Sequence, residues 1–153
     1  MARQKITPFL WFDGKAEEAA EFYVSIFPDS AVTGVTPGPN GAALVVAFRL
    51  AGVEFVALNG GPQFTFNEAI SLSIDCHSQA EVDELWEKLA AGGSEGQCGW
   101  LKDKYGLSWQ VVPAVLPKLL ADADRAKAAR VIEAMMRMTR LDIQALQDAA
   151  DGN

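Results

Sequence analysis

The chain holds a single histidine, His77, and two cysteines, Cys76 and Cys98, in 153 residues. So few imidazoles and thiols exclude a Cys/His zinc cage and a disulfide framework; the two cysteines read as reduced thiols. Basic residues are also short: 13 Lys and Arg stand against 20 Asp and Glu, for a net charge of −7. That balance argues against a nucleic-acid partner, which needs clustered cations. Arg125, Lys127, Arg130 and Arg137 fall together in an alanine-rich stretch, and they read as a solvated helix face. No apolar run is long enough to span a bilayer, so no membrane partner is expected. Met1–Ile6 has no apolar signal-peptide core, which makes the expected location cytoplasmic.

What is present is apolar: half the residues are hydrophobic, enough for a packed core and against disorder. The chain is organised around Ala69–Pro113. Ile70, Leu72 and Ile74 alternate with Ser71, Ser73 and Asp75, the period of a half-buried strand. Ser78-Gln79-Ala80-Glu81 is a capping box. Val82, Leu85, Trp86 and Leu89 then form one helical stripe, over about Gln79–Ala91, which Gly92-Gly93 ends. Ile70, Leu72 and Ile74 should face that stripe. Asp103-Lys104-Tyr105-Gly106 is a turn into a strand over Leu107–Val112. In it Trp109 and Val111 share one face, and Ser108, Gln110 and Val112 the other.

The first half follows the same plan. Ile6–Phe12 predicts a strand with two apolar faces, hence a central one, although Pro8 argues for a bulge or a sheet edge. Asp13 is placed to cap a helix over about Lys15–Phe27. Strands follow at Ala31–Thr36, Leu44–Leu50 and Val53–Leu58, with turns at Asn40-Gly41 and Ala51-Gly52. The expected fold class is α+β: paired βαβββ modules forming a curved antiparallel sheet cup, helices outside, and a C-terminal helical tail. The expected division is 1–60, a first βαβββ module; 61–113, a second, shortened one; and 114–153, a helical extension. In the extension Pro117 precedes a helix of about Asp122–Met138, and Asp142 caps a short helix carrying Ile143 and Leu146 inward. Met135, Met136 and Met138 offer an adaptable surface for a groove on the cup or on a partner.

The run FNEAISLSIDCHSQAEVDELWEKLAAGGSEGQCGWLKDKYGLSWQVVP, with ITPFLWFDGKAEEAAEFYVSIFPDS before it, resembles the PhnB-like branch of the vicinal oxygen chelate superfamily. That superfamily includes glyoxalase I, bleomycin-resistance proteins and extradiol dioxygenases. Members of the branch are often labelled 3-demethylubiquinone methyltransferases. The resemblance covers about Ile6–Pro113, and it implies a cup of paired modules built as a homodimer. Catalytic members of the superfamily hold a divalent metal through the first and last strands of each module. Carried over, those positions fall on Pro8, Ala69, Asn59 (within one residue) and Gln110. None supplies an imidazole, carboxylate or thiolate, so no metal is expected and no cofactor is assigned. The methyltransferase label finds no Gly-rich strand-to-helix turn to support it.

The candidate ligand-binding residues are Asn59, Phe64, Phe66, Ser71, Ser73, Trp100 and Gln110. Phe64, Phe66 and Trp100 read as an aromatic clamp, or as core or dimer packing. Cys98 is the candidate catalytic residue, a nucleophile if a base or cation lowers its pKa and otherwise a lining thiol. His77 reads as a surface residue at a helix entry. Two functions compete. One is a metal-free cup for a small aromatic or amphiphilic molecule, with the acidic balance suiting a cation. The other is a metal-free lyase, isomerase or transferase using Cys98, Gln110 and water.

Overall fold

The computed structural model describes residues 4–153. The chain divides into two compact units, Met1–Phe66 and Asn67–Asn153, each with its own open four-stranded mixed sheet.

The first unit runs β1 (Phe9–Phe12), α1 (Ala16–Ile26), β2 (Ala31–Pro37), β3 (Ala43–Leu50) and β4 (Val53–Asn59), in sheet order β1-β4-β3-β2. The hairpins β2–β3 and β3–β4 are antiparallel, as expected. The departure is β1, which lies parallel to β4. Helix α1 carries the chain back to the starting end of the sheet, so the fourth strand regains the direction of the first. Strand β1 is also an edge of its own sheet and not the central strand that its apolar faces suggested. Pro8, with no N–H to give, sits just before it and accepts from Val56 N through its carbonyl at 3.0 Å, consistent with the edge reading.

One apolar face of β1 is buried, and on the other Trp11 is covered while Phe9 is 62% exposed. Leu10 and Phe12 are buried on the α1 side, with Val46, Phe48, Phe55 and Ala57 in register behind them. The small residues Ala16, Ala19 and Ala20 of α1 are fully buried and let the helix backbone approach the sheet. Tyr23 stacks on Phe48 at 6.2 Å between ring centroids, and Phe48 on Phe55 at 5.5 Å. On the opposite face the Gly60–Phe64 segment folds over Trp11. A Cβ at Gly60 would stand 2.4 Å from the indole, so only glycine fits there. The Ala51-Gly52 turn has φ of +47° and +83°, the double left-handed geometry of a two-residue hairpin.

The second unit begins β5 (Ser71–Cys76), α2 (Gln79–Ala90), β6 (Ser94–Glu95), β7 (Trp100–Lys102) and β8 (Ser108–Pro113). It repeats the first topology: order β5-β8-β7-β6, with β5 parallel to β8. Helix α2 buries Val82, Leu85, Trp86 and Leu89, the expected stripe. Glu81 N donates to Ser78 Oγ at 3.1 Å. Glu81 Oε1 reaches back one residue further than a standard capping box, accepting from His77 N at 2.7 Å. Ile70 falls outside β5 and is 64% exposed, so Leu72, Ile74 and the fully buried Cys76 carry the strand's apolar face. The Asp103 carboxylate is buried and accepts from Tyr105 N, Leu107 N and Trp109 Nε1 at 2.8, 3.1 and 2.9 Å, which fixes the turn into β8.

The tail adds α3 (Val115–Leu120), α4 (Arg125–Met136) and α5 (Ile143–Asp151). Sequence periodicity merged the approach to α4 and missed α3, which has only six residues. Asp124 and Asp142 cap α4 and α5. Leu116, Val131, Leu141, Leu146 and Ala150 form a core of their own, with Val112 of β8 packed against it.

Candidate functional site

Strand register decides which side chains share a face, since directly opposed residues point the same way. In the second sheet Ser73, Gln110 and Trp100 lie in one row across β5, β8 and β7, and Ser71, Ser108 and Lys102 in the next. The opposite face, under α2, holds Val111, Trp109 and Leu101, all buried. Alternation therefore puts Ser71, Ser73, Trp100, Lys102 and Gln110, all at least partly exposed, on the other face, where Ser108 and Val112 are covered. Gln110 Nε2 donates to Ser71 Oγ at 3.0 Å, leaving the Gln110 carbonyl oxygen for another donor. The Ser108 hydroxyl is fully buried and has no hydrogen-bond partner among the described residues. A buried hydroxyl of this kind calls for water or a ligand atom beside it. Lys102 pairs with Glu68. That ammonium, as donor and as charge, holds the Glu68 carboxyl below the usual carboxylate range.

The structure thus brings together Ser71, Ser73, Trp100 and Gln110. It also adds Ser108, Lys102 and Glu68, which the sequence analysis did not place among ligand residues. Alternation from Trp100 and Gln110 carried the first two of these; Glu68, from an irregular segment, carried no signal. Cys98 lies two residues before Trp100, half-buried, with φ of +60°. Its N–H donates to Met138 O at 2.8 Å. His77 stands 3.5 Å from Asp75, both exposed, at the entry to α2. Cys76 is fully buried. Burial, reinforced by the Glu81 and Asp75 charges, pushes its thiol up to about 12, so it stays protonated and inert.

Asn59, Phe64 and Phe66 belong to the first unit. Asn59 follows Phe55 and Ala57 on the α1 face of β4. Its Oδ1 accepts from Ala16 N at 2.9 Å, and its Nδ2 donates to Ala43 O at 2.9 Å. It does the capping expected of Asp13: the N-cap position is Lys15, with no side-chain cap bond of its own. Phe64 meets Trp11 edge-on at 4.9 Å, and Phe66 meets Phe12 edge-on at 5.3 Å. Phe64 is nonetheless 65% exposed. A cleft of about 670 Å³ opens at one end of this sheet, where Asp13 and Glu17 face the β2–β3 connection.

This architecture, two βαβββ units each closed by a parallel first and last strand, is that of the vicinal oxygen chelate proteins. Residues 4–112 match the family described as 3-demethylubiquinone-9 3-methyltransferase, and the chain belongs to that PhnB-like family. The PhnB protein from Bacillus cereus is 37% identical, with a TM-score of 0.68 over 72% of this chain and 100% of its own. A Pseudomonas aeruginosa protein is similar in fold at 21% identity and a TM-score of 0.58, over 72% and 98% of the two chains. The fosfomycin resistance protein FosX from Listeria monocytogenes is similar at 17% identity and a TM-score of 0.57, over 80% and 100%. No curated protein matches the chain.

A FosX structure contains Mn(II); the residues of this chain at the positions carried over for metal ligation are poor donors. Pro8 and Ala69 have no donor side chain, and both amide atoms of Asn59 are engaged within its own unit. Gln110 offers one neutral oxygen. Among the described residues, no three of His, Cys, Asp or Glu converge as a metal-binding group. The donor set does not fit a divalent ion, which wants carboxylate, imidazole or thiolate. No helix among the described residues is long and apolar enough to cross a membrane.

Proposed function

We propose that the protein is a vicinal-oxygen-chelate-fold binding module that takes a small aromatic or amphiphilic molecule on the partly exposed face of its second sheet without a metal. The observation that carries this is the partly exposed row Ser73–Gln110–Trp100. It offers one indole to stack on a planar ring and several neutral hydrogen-bonding groups to orient it. A net charge of −7 favours a cationic ligand over an anionic one through the field of the whole chain. The methyltransferase description of the family is not carried over, because none of the three strand-to-helix turns is glycine-rich: α1 follows Asp13-Gly14-Lys15, α2 follows His77-Ser78 and α3 follows Ala114.

The test is titration of the full-length protein with ethidium, a planar cation, and with anilinonaphthalene sulfonate, an aromatic anion. Saturable ethidium binding that is tighter than the anion's and weakened by Trp100→Ala is the expected result. Equal weak binding of both dyes, unchanged in Trp100→Ala, would overturn the reading. We further infer a homodimer. Strand β2 is an edge strand of seven residues, exposed over most of its length, and such edges recruit a partner unless protected. Light scattering at micromolar concentration should return twice the chain mass; the monomer mass would refute the inference.

A further inference from the structure

The family match ends at residue 112, and the Bacillus cereus relative is matched over its whole length by 72% of this chain. The three C-terminal helices are therefore outside what the family requires. Besides packing on Val112 of β8, they are hydrogen-bonded to the turn before β7 and to α2 through the segment Met138–Ile143. Cys98 N and Gly99 N donate to Met138 O and Thr139 O, each at 2.8 Å. Gly99 O in turn accepts from Val111 N at 2.8 Å. A Cβ on Gly99 would lie 2.8 Å from Leu141 Cδ1 and 3.0 Å from Val111 O, so the segment is seated directly on the turn. On its other side the same segment is held by the first turns of α2. Gln79 Oε1 accepts from Ile143 N at 2.8 Å, and Gln79 Nε2 donates to Leu141 O at 3.1 Å. Arg140 lies 3.3 Å from Asp83 and 3.6 Å from Glu87.

What this clamps is a turn that would not hold its shape by local preference. Cys98 has φ of +60°, a region that a residue with a Cβ seldom adopts and that persists only where surroundings impose it. Gly99 follows at +83°. Trp100 N then donates to Gln97 O at 3.0 Å, and Trp100 O accepts from Gly96 N at 2.8 Å, which sets the direction in which β7 leaves the turn.

We propose that the C-terminal extension is a strap that imposes the Cys98–Gly99 turn and so pre-organises Trp100 on the partly exposed face. The part of the proposal that concerns ligand rests on the binding reading above. Gln79 is then a positioning residue: it touches no ligand, and it acts through the strap on a side chain that would. Pre-organising an aromatic platform raises affinity by removing the cost of ordering it at the moment of binding.

The test uses the full chain labelled with fluorotryptophan, with Gln79→Ala and Arg140→Ala as variants. In each, the Cys98 and Gly99 amides should exchange with solvent about tenfold or more faster, while those of the β3–β4 hairpin in the first unit keep their protection. The Trp100 fluorine resonance, assigned by its loss in Trp100→Phe, should shift or broaden. Ethidium affinity should fall in both variants. Unchanged exchange at Cys98 and Gly99, or a rise shared equally by the β3–β4 hairpin, overturns the strap. Should Gln79→Ala fail to fold, Arg140→Ala decides, since it removes only a half-exposed ionic contact. Absent ethidium binding by the unsubstituted chain overturns the binding reading, whereas the exchange and fluorine results judge the strap without any ligand.

Discussion

Asn59 Oδ1 accepts a hydrogen bond from Ala16 N at 2.9 Å, so the last residue of β4 caps the helix that follows β1. The same amide donates to Ala43 O at the start of β3. Three elements are joined by one side chain. Asn59→Ala should lower stability by about 1–3 kcal/mol, the sum of a lost helix cap and a lost partner for a carbonyl. Urea unfolding measures it. A loss within error of zero would show that water replaces both bonds.

Asp103 is the corresponding polar anchor of the second unit. Its Oδ1 takes the two backbone N–H groups of the turn, and its Oδ2 takes the indole N–H of buried Trp109. Asp103→Asn keeps one carbonyl oxygen and presents an NH2 group to whatever the oxygen does not face. Either the turn donors or the Trp109 N–H then meets another donor. A loss of about 1–3 kcal/mol is expected, and a larger one for Asp103→Ala. Near-UV circular dichroism should report the disturbance at Trp109; an unaltered spectrum with unaltered stability would contradict it.

The two anchors differ in how visible they were. Asp103-Lys104-Tyr105-Gly106 is local chemistry, and a turn there could be read from four consecutive residues. The Asn59 cap joins residues 43 apart in the chain, and no local window contains both. The same distinction runs through the fold. Alternation in Ser71–Ile74 and in Ser108–Val112 told which side chains share a face, because the period of a strand is a local property. It could not tell that β5 and β8 are parallel neighbours, since a strand's pattern is the same whichever way its neighbour runs. The capped stripe of α2 and the Ala51-Gly52 turn were legible for the local reason. The row Ser73–Gln110–Trp100 needed register, which depends on three strands at once. Glu68 and the Met138–Ile143 strap were invisible for want of any repeating pattern.

The two cysteines should separate cleanly in solution. Cys76 is buried, and its thiol is pushed up to about 12; Cys98 is half-buried. Alkylation of the folded chain at pH 8 should label Cys98 and spare Cys76, as peptide mass mapping would show. The raised thiol also sets an alkaline limit. A folded pKa above the unfolded value contributes stability that is complete below the unfolded pKa, about 8.5, and is lost as pH rises toward the folded one. Between those values stability should fall by about 1.4 kcal/mol per pH unit through this group. Cys76→Ala should flatten that part of the pH profile. Equal labelling of the two thiols would contradict the burial on which both expectations rest.

Gln110 is the residue onto which the superfamily resemblance carries a last-strand metal position, and its side chain donates to Ser71 at 3.0 Å. This contact is neutral and partly exposed, so a double-mutant cycle of Ser71→Ala and Gln110→Ala should give a coupling of about 0.5–1.5 kcal/mol. Gln110→Glu changes the chemistry at constant shape. The carboxylate cannot donate, but the Ser71 hydroxyl can turn and donate to it, so the fold should persist. One carboxylate still lacks the company a divalent ion needs: Ala69 offers no side-chain donor, and both amide atoms of Asn59 are engaged within its own unit. Neither the unsubstituted chain nor Gln110→Glu should then retain stoichiometric manganese after dialysis. Pairing Gln110→Glu with Ala69→His should give at most weak binding, because two ligands leave most of the coordination shell to water. Elemental analysis that finds one metal per purified chain, removed by Gln110→Ala, would return the protein to the metalloenzymes and end the binding-module reading.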